Sequence, residues 1–339
     1  MRLAGLAVSL ALAAACGGLI TSGNDGKAAA PDLADPEKPH DYQTSANGTG
    51  TEIKPSAYPL VLAHGMSGFA NIGPLDYFFG VKKVLEADGH QVFVSIVDPF
   101  NTSEVRGDTL KTFIEGVIAQ TGAKKVKIIA HSQGGLDARW AASKIPDKIA
   151  AIVTISSPHL GSEIADVALD RLPGPIQSAL EILLNVFGIV LSGDASQDAK
   201  GAVGQVSAEG MIDWNAKVPN QPGVAYYSLA GRSNDTLGEE SCGTTVQPLF
   251  VARWNAYKDP INPLLAIPSA LLNQLAQAPT NDGLVSVAAS RWGTFLGCIP
   301  ADHLDEVCQI AGQAPGNGNA FDCHQFYREL VSWLVVEGY

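Results

Sequence analysis

The chain has 339 residues, 46% hydrophobic and 17% charged, which is enough apolar matter for one large core with appendages or for two small ones. That balance argues against a chain disordered throughout. A formal net charge of −12 with no basic stripe argues against a nucleic-acid partner.

Residues 1–15 carry Arg2 and then an apolar run, too short for a membrane-spanning helix but right for the apolar region of a signal peptide. The run closes in Ala13-Ala14-Ala15-Cys16. The protein is therefore expected to be exported, either secreted after cleavage or lipid-anchored at the outer membrane through Cys16. Residues 16–57 are rich in Gly, Ala, Asn, Thr, Asp and Pro and have neither helical nor strand period, which describes a flexible tether. The folded domain is expected to span residues 58–339.

Within that domain, Tyr58 to Gly65 is a buried strand ending in His-Gly, and Leu75 to Asp88 has helical spacing closed by Gly89. His90 to Val97 gives a strand, Glu104 to Thr121 a long helix stopped by Gly122, and Lys125 to Ala130 another strand. Leu136 to Lys144 is a helix and Ile149 to Ile155 a strand. This alternation predicts an α/β fold: a mostly parallel central sheet with helices on both faces.

The alternation stops at about 160–198. At its centre, residues 175–191, Gln177, Glu181 and Asn185 recur every four residues on an otherwise apolar helix. Such a helix either packs into a core or covers an oily site as a mobile lid. Its insertion directly after a sheet strand favours the lid. Gly223 to Ala230 returns to the sheet, Leu284 to Ala288 is a last short strand, Trp292 to Leu296 is strand-like, and Phe321 to Glu337 is a C-terminal helix.

The chemistry centres on Ala130-His131-Ser132-Gln133-Gly134, a small-x-Ser-x-Gly pentapeptide between a strand and a helix. That context identifies a nucleophile elbow, in which small residues let the backbone turn sharply beneath an exposed serine. A serine needs a base, and the base needs an orienting carboxylate, in the chain order Ser, acid, His. His159, His303 and His324 follow the serine. Of these, His303 sits in a loop after a strand-like run, whereas His324 opens the last helix and reads as structural. Asp282, at a turn before a strand, is the candidate acid. Gln133, directly after the serine, and Met66, after His64-Gly65, are placed to offer backbone amides as an oxyanion hole. Beyond Cys16, an even set of Cys242, Cys298, Cys308 and Cys323 suggests two disulfides with three possible pairings. Cys242–Cys298 with Cys308–Cys323 is the expected one, the second closing a short local loop.

Together these residues resemble the secreted bacterial triacylglycerol lipases of the foldase-dependent α/β-hydrolase type. The resemblance runs colinearly from 58 to about 310. It is carried by Y-P-L-V-L-A-H-G-M from Tyr58, A-D-G-H-Q-V-F-V from Ala87, P-F-N-T-S-E-V-R-G from Pro99 and H-S-Q-G-G-L-D-A-R from His131. It continues through I-S-S-P-H-L-G-S from Ile155, T-N-D-G-L-V from Thr280 and H-L-D-E-V from His303. It implies Ser132 as nucleophile, Asp282 as acid, His303 as base, and Met66 and Gln133 as oxyanion donors. It also implies a structural calcium held by Asp259, Asp305 and main-chain oxygens of Gln309 and Gln313, with no organic cofactor. The implied substrate is an acylglycerol, the implied partner a lipase-specific foldase, and the enzyme would be a monomer. One departure stands out: where the family often has a cysteine after the acid, this chain has Ala288. The alternatives to a triacylglycerol lipase are a short-chain or polyester esterase and, from another class, a non-catalytic lipid-binding surface lipoprotein.

Overall fold

Alternate residues along each strand face opposite sides of one sheet, and two hydrophobic cores take them in turn. The computed structural model describes residues 58–66, 71–72, 75–169, 198–233, 242–244, 246–275, 280–309 and 321–339. The signal peptide of residues 1–15, the tether of 16–57, the lid centre of 175–191 and Gln313 lie outside the described residues. Among the described residues six strands form the sheet: β1 (Leu60–Ala63), β2 (Val92–Val94), β3 (Val126–His131), β4 (Ile149–Ile155), β5 (Ala225–Gly231) and β6 (Thr294–Ile299). Their order is β2-β1-β3-β4-β5-β6, and every pairing is parallel.

One face presents Leu60, Leu62, Ile129, Val153, Ile155, Leu229 and Leu296 to a core completed by α1 (Val81–Ala87) and the C-terminal α8 (Cys323–Val336). The other presents Val61, Ala63, Ile128, Ala130 and Ile152 to α2 (Ser103–Thr121) and α3 (Gly134–Lys144). The long helix α2 buries Leu110, Ile114 and Val117, spaced four and three apart, and ends where Gly122 takes φ 71°. Near-continuous apolar strands covered on both faces are what a parallel sheet requires. Beyond β4 come α4 (Glu163–Leu169), α5 (Ala199–Gln205), α6 (Ala208–Lys217) and, later, α7 (Ala266–Leu275).

Three elements differ from the expectations. The helix over 75–88 is shorter: Leu75–Asp76 pairs antiparallel with Asn71–Ile72, and Gly80 at φ 69° lies outside the helical region, so α1 starts at Val81. The strand over 90–97 contracts to Val92–Val94, at the edge of the sheet. The strand over 284–288 is instead a string of turns with one bridge, Asn281 to Ser286. There Asp282 Oδ1 accepts N–H bonds from Leu284 and Val285, and Asn281 Oδ1 accepts one from Gly283, whose φ is 101°. Side-chain acceptors thus hold the backbone donors that a strand would have used.

Both disulfides form as expected, Cys242–Cys298 across 56 residues and Cys308–Cys323 across 15. The longer loop restricts the unfolded chain more. Replacing Cys242 and Cys298 together by serine is expected to lower the unfolding free energy by about 2–4 kcal/mol. Urea unfolding monitored by tryptophan fluorescence measures it.

Candidate active site

Strand β3 passes into α3 through Ser132, whose φ of 56° is a left-handed conformation that a residue with a side chain rarely adopts. Its N–H donates to Ile155 O at 3.0 Å and its carbonyl accepts from Gly135 N at 3.1 Å, which pins the turn to the end of β4. The two glycines that follow are steric necessities. A Cβ on Gly134 would come within 2.5 Å of Ala63 O, and one on Gly135 within 2.0 Å of Ser157 Oγ. Ala130, which opens the motif, is fully buried with its methyl in the α2–α3 core.

The loop after β6 carries His303, and the turn at 281–286 carries Asp282. His303 Nδ1 donates to Asp282 Oδ2 at 2.6 Å, and His303 N donates to Asp282 O at 2.9 Å, so backbone and side chain are both fixed to the same residue. Asp282 has no exposed surface. Burial alone would raise its pKa, but His303 and the amides of Val285 and Leu284 outweigh it and hold the carboxyl below its usual range. Ser132 and His303 line one cavity of about 60 Å³ with Met66, Gln133 and Tyr77. Its remaining wall is mostly apolar, with Ile164 and Ala165 from α4 and Val203 and Val206 at α5.

The profile of the alpha/beta hydrolase fold matches residues 58–263. Over 318 residues the chain is 31% identical to the triacylglycerol lipase of Pseudarthrobacter phenanthrenivorans, covering 83% of this chain and 97% of that one. The triacylglycerol lipase of Burkholderia plantarii is also 31% identical, over 83% of this chain and 87% of its own. The chain belongs to the α/β-hydrolase family, among its triacylglycerol lipases. The fold is likewise that of the mature Bacillus licheniformis lipase BlEst2, with a TM-score of 0.55 at 20% identity over 75% of this chain and 88% of that one.

Behind the histidine this hydrolase holds a buried network that the motifs did not single out. Glu306 is fully buried; its Oε1 accepts from Ser156 Oγ at 2.5 Å and its Oε2 lies 2.8 Å from His131 Nε2. Burial, then the charge of Asp282, pushes the Glu306 carboxyl well above its usual range. Burial, then His303, pushes His131 well below its own, so the ring is neutral and carries one N–H. Its other nitrogen, Nδ1, lies 2.7 Å from the Tyr77 hydroxyl, which accepts Gly65 N–H at 3.2 Å. The signal for Glu306 was present in H-L-D-E, one helical turn beyond His303.

A second cluster joins the same loop to the segment before Pro263. Asp259 and Asp305, anticipated as metal ligands, are joined by Asp302, and their nearest oxygens all lie within 4.8 Å of one another in buried positions. Asp302 was legible only as an acid three residues before Asp305. Gln309 follows, its N–H on Leu304 O at 3.0 Å and its side chain donating to Tyr77 O at 3.0 Å. Of the other histidines, His159 stacks on Trp292, and His324 donates from Nε2 to Phe79 O at 2.7 Å, the structural part expected of it.

Gly65 is where the loop after β1 meets Ser132: a Cβ there would approach Ser132 Cβ to 2.6 Å and Ser132 Oγ to 3.1 Å. Gly65→Ala is expected to reduce ester hydrolysis by roughly 100-fold, the order of effect of a 1 Å misplacement in an active site. An unchanged far-ultraviolet circular dichroism spectrum should accompany the loss.

Proposed function

We propose that the protein hydrolyses carboxylic esters as a triacylglycerol lipase, with Ser132 as nucleophile, His303 as base and Asp282 as orienting acid. The observation that carries this reading is the 2.6 Å bond from His303 Nδ1 to Asp282 Oδ2, beside a serine at φ 56° in the same cavity. Ser132 Oγ attacks the ester carbonyl while His303 Nε2 takes its proton. The ring becomes an imidazolium whose Nδ1–H rests on the ionised Asp282. The backbone amides of Met66 and Gln133 hold the oxyanion, the latter helped by the N-terminal dipole of α3. The tetrahedral intermediate collapses as His303 protonates the leaving alcohol, and water repeats the sequence on the acyl-enzyme.

The bacterial relatives named triacylglycerol lipases support an acylglycerol substrate. The second reading is an esterase for short acyl chains. In our reading the segment about 160–198 is the lid, the domain begins near residue 58 behind a signal peptide and tether, and a foldase assists folding. The two disulfides accord with export to an oxidising compartment, with secretion or Cys16 lipidation as its two forms.

A structural calcium fits the acidic cluster. Burial, then the charges of Asp302 and Asp259, pushes the Asp305 carboxyl up to about 9, so the cluster holds a proton that a bound cation would displace. Oxygen-only donors are what calcium takes. Asp259, Asp302 and Asp305 would hold it with main-chain oxygens of the same loop, those of Gln309 and Gln313 included. The ion would supply charge neutralisation beside His303 and no part of the bond-making.

Two experiments test these assignments. Emulsified triolein and p-nitrophenyl butyrate are each offered to the wild type and to Ser132→Ala, and the variant should lose roughly 10⁴- to 10⁶-fold in kcat on both. Butyrate turnover without triolein turnover selects the esterase reading. In the second, calcium at a hundred-fold excess over its Kd should stabilise the wild type by about 2.7 kcal/mol, reversed by EDTA, whereas Asp305→Asn should show no shift. Differential scanning calorimetry reads both.

A further inference from the structure

We propose that Tyr77 and Arg106 are positioning residues for the Met66 amide, clamping two successive peptide planes of the His64–Met66 loop so that this N–H faces Ser132. The proposal rests on the reading of Met66 as an oxyanion donor. A trans peptide is planar, with its C=O and N–H pointing in opposite directions, so whatever fixes one end aims the other. The His64–Gly65 plane is held at both ends. His64 O accepts from Arg106 Nη2 at 2.8 Å, and Gly65 N–H donates to the Tyr77 hydroxyl at 3.2 Å. In the Gly65–Met66 plane, Gly65 O accepts from the same Nη2 at 3.0 Å and from His64 Nδ1 at 2.9 Å. Met66 N–H therefore points away from Arg106, and Met66 lines the cavity that holds Ser132.

The clamp is itself rigid. Arg106 has no exposed surface, and all five of its N–H groups have acceptors: Asp137 Oδ2 from Nε, Asp98 O and Pro99 O from Nη1, and the two loop carbonyls from Nη2. Asp137 lies in the first turn of α3, immediately after the elbow, so one guanidinium ties the helix carrying the Gln133 amide to the loop carrying the Met66 amide. Tyr77 does the same from the other side. Its hydroxyl joins Gly65 to His131, the residue before Ser132, and through it to Glu306. Both donors of the hole are thus registered against the nucleophile before a substrate arrives, which is the condition under which such donors act on the transition state.

The test uses Tyr77→Phe, which deletes one hydroxyl and keeps the ring, and Arg106→Lys, which keeps the charge but at most three donors. Each is assayed on p-nitrophenyl butyrate for kcat and KM, and for inhibition by butaneboronic acid. That acid adds to Ser132 Oγ as a tetrahedral boronate whose oxygen occupies the oxyanion position. Fluorophosphonate labelling and the melting temperature complete the set. Tyr77→Phe is expected to lose roughly 10- to 100-fold in kcat, less than the 10²–10³ of an outright lost donor. KM should stay within about three-fold, the boronate Ki should rise in step with the loss in kcat, and the melting temperature should hold. Arg106→Lys should show the same pattern; if it fails to fold, Tyr77→Phe decides alone. A Tyr77→Phe enzyme that is labelled and keeps its boronate Ki overturns the proposal, whatever its kcat. A wild type that hydrolyses the ester without being labelled at Ser132 overturns the reading of the site, and this proposal with it.

Discussion

A serine held at φ 56° sets the terms for the strands around it. A non-glycine residue in that region costs of order 1–3 kcal/mol and persists only where its surroundings leave no alternative. Here the surroundings are close. Gly134 passes under the carbonyls of Ala63 and His64, Gly135 fits against Ser157, and Ile155 O takes the serine's N–H. The three central strands β1, β3 and β4 thus act as one frame, and a small slip of any of them would release the turn. Ser156 at φ 45°, at the end of β4, and Cys308 at φ 62°, beyond Glu306, are the other described non-glycine residues with positive φ. All three bear on the site, so the strain of the fold is concentrated where geometry matters.

Charge is concentrated there as well. Asp282, Asp302, Asp305 and Glu306 fall on two neighbouring loops, and all four are buried. Each has a different answer to burial. Asp282 has His303 and two amides. Glu306 has Ser156 and His131. Asp302 has the N–H groups of Leu304, Asp305 and Asn262. Asp305 faces two other carboxylates, and burial with their charges pushes its own carboxyl up to about 9. The contrast explains why His303 can be oriented by one carboxylate while others lie close by: the competitors are engaged elsewhere.

The sheet was readable because fully buried parallel strands are short apolar runs, and β1, β3, β4 and β5 are written that way. The elbow was readable because a sharp turn demands small residues at fixed spacing. Less readable was anything depending on side chains that satisfy backbone groups. Leu284 to Ala288 has the composition of a strand, yet Asp282 takes the amides of Leu284 and Val285, Asn281 takes that of Gly283, and the chain turns. Arg106, Tyr77 and Glu306 belong to the site through contacts between residues far apart in the chain; even Glu306, one turn beyond His303, has its partners Ser156 and His131 150 and 175 residues away. His131 illustrates the limit from the other side. It adjoins the serine in sequence, which made it visible, but its partners Tyr77 and Glu306 appear only in three dimensions.

The Cys308–Cys323 bridge carries a consequence for the order of assembly. Ser132, its glycines and the β1 loop belong to consecutive strand–helix units in the first half of the chain. His303 and the acidic cluster lie much later in the chain, on a loop tied covalently to α8. Ser132 therefore leaves synthesis well before His303, and the loop of His303 is stapled only where thiols can oxidise. Until that bridge closes, the loop of His303 is joined to α8 by noncovalent contacts only, among them the Tyr327 hydroxyl on Glu306 O.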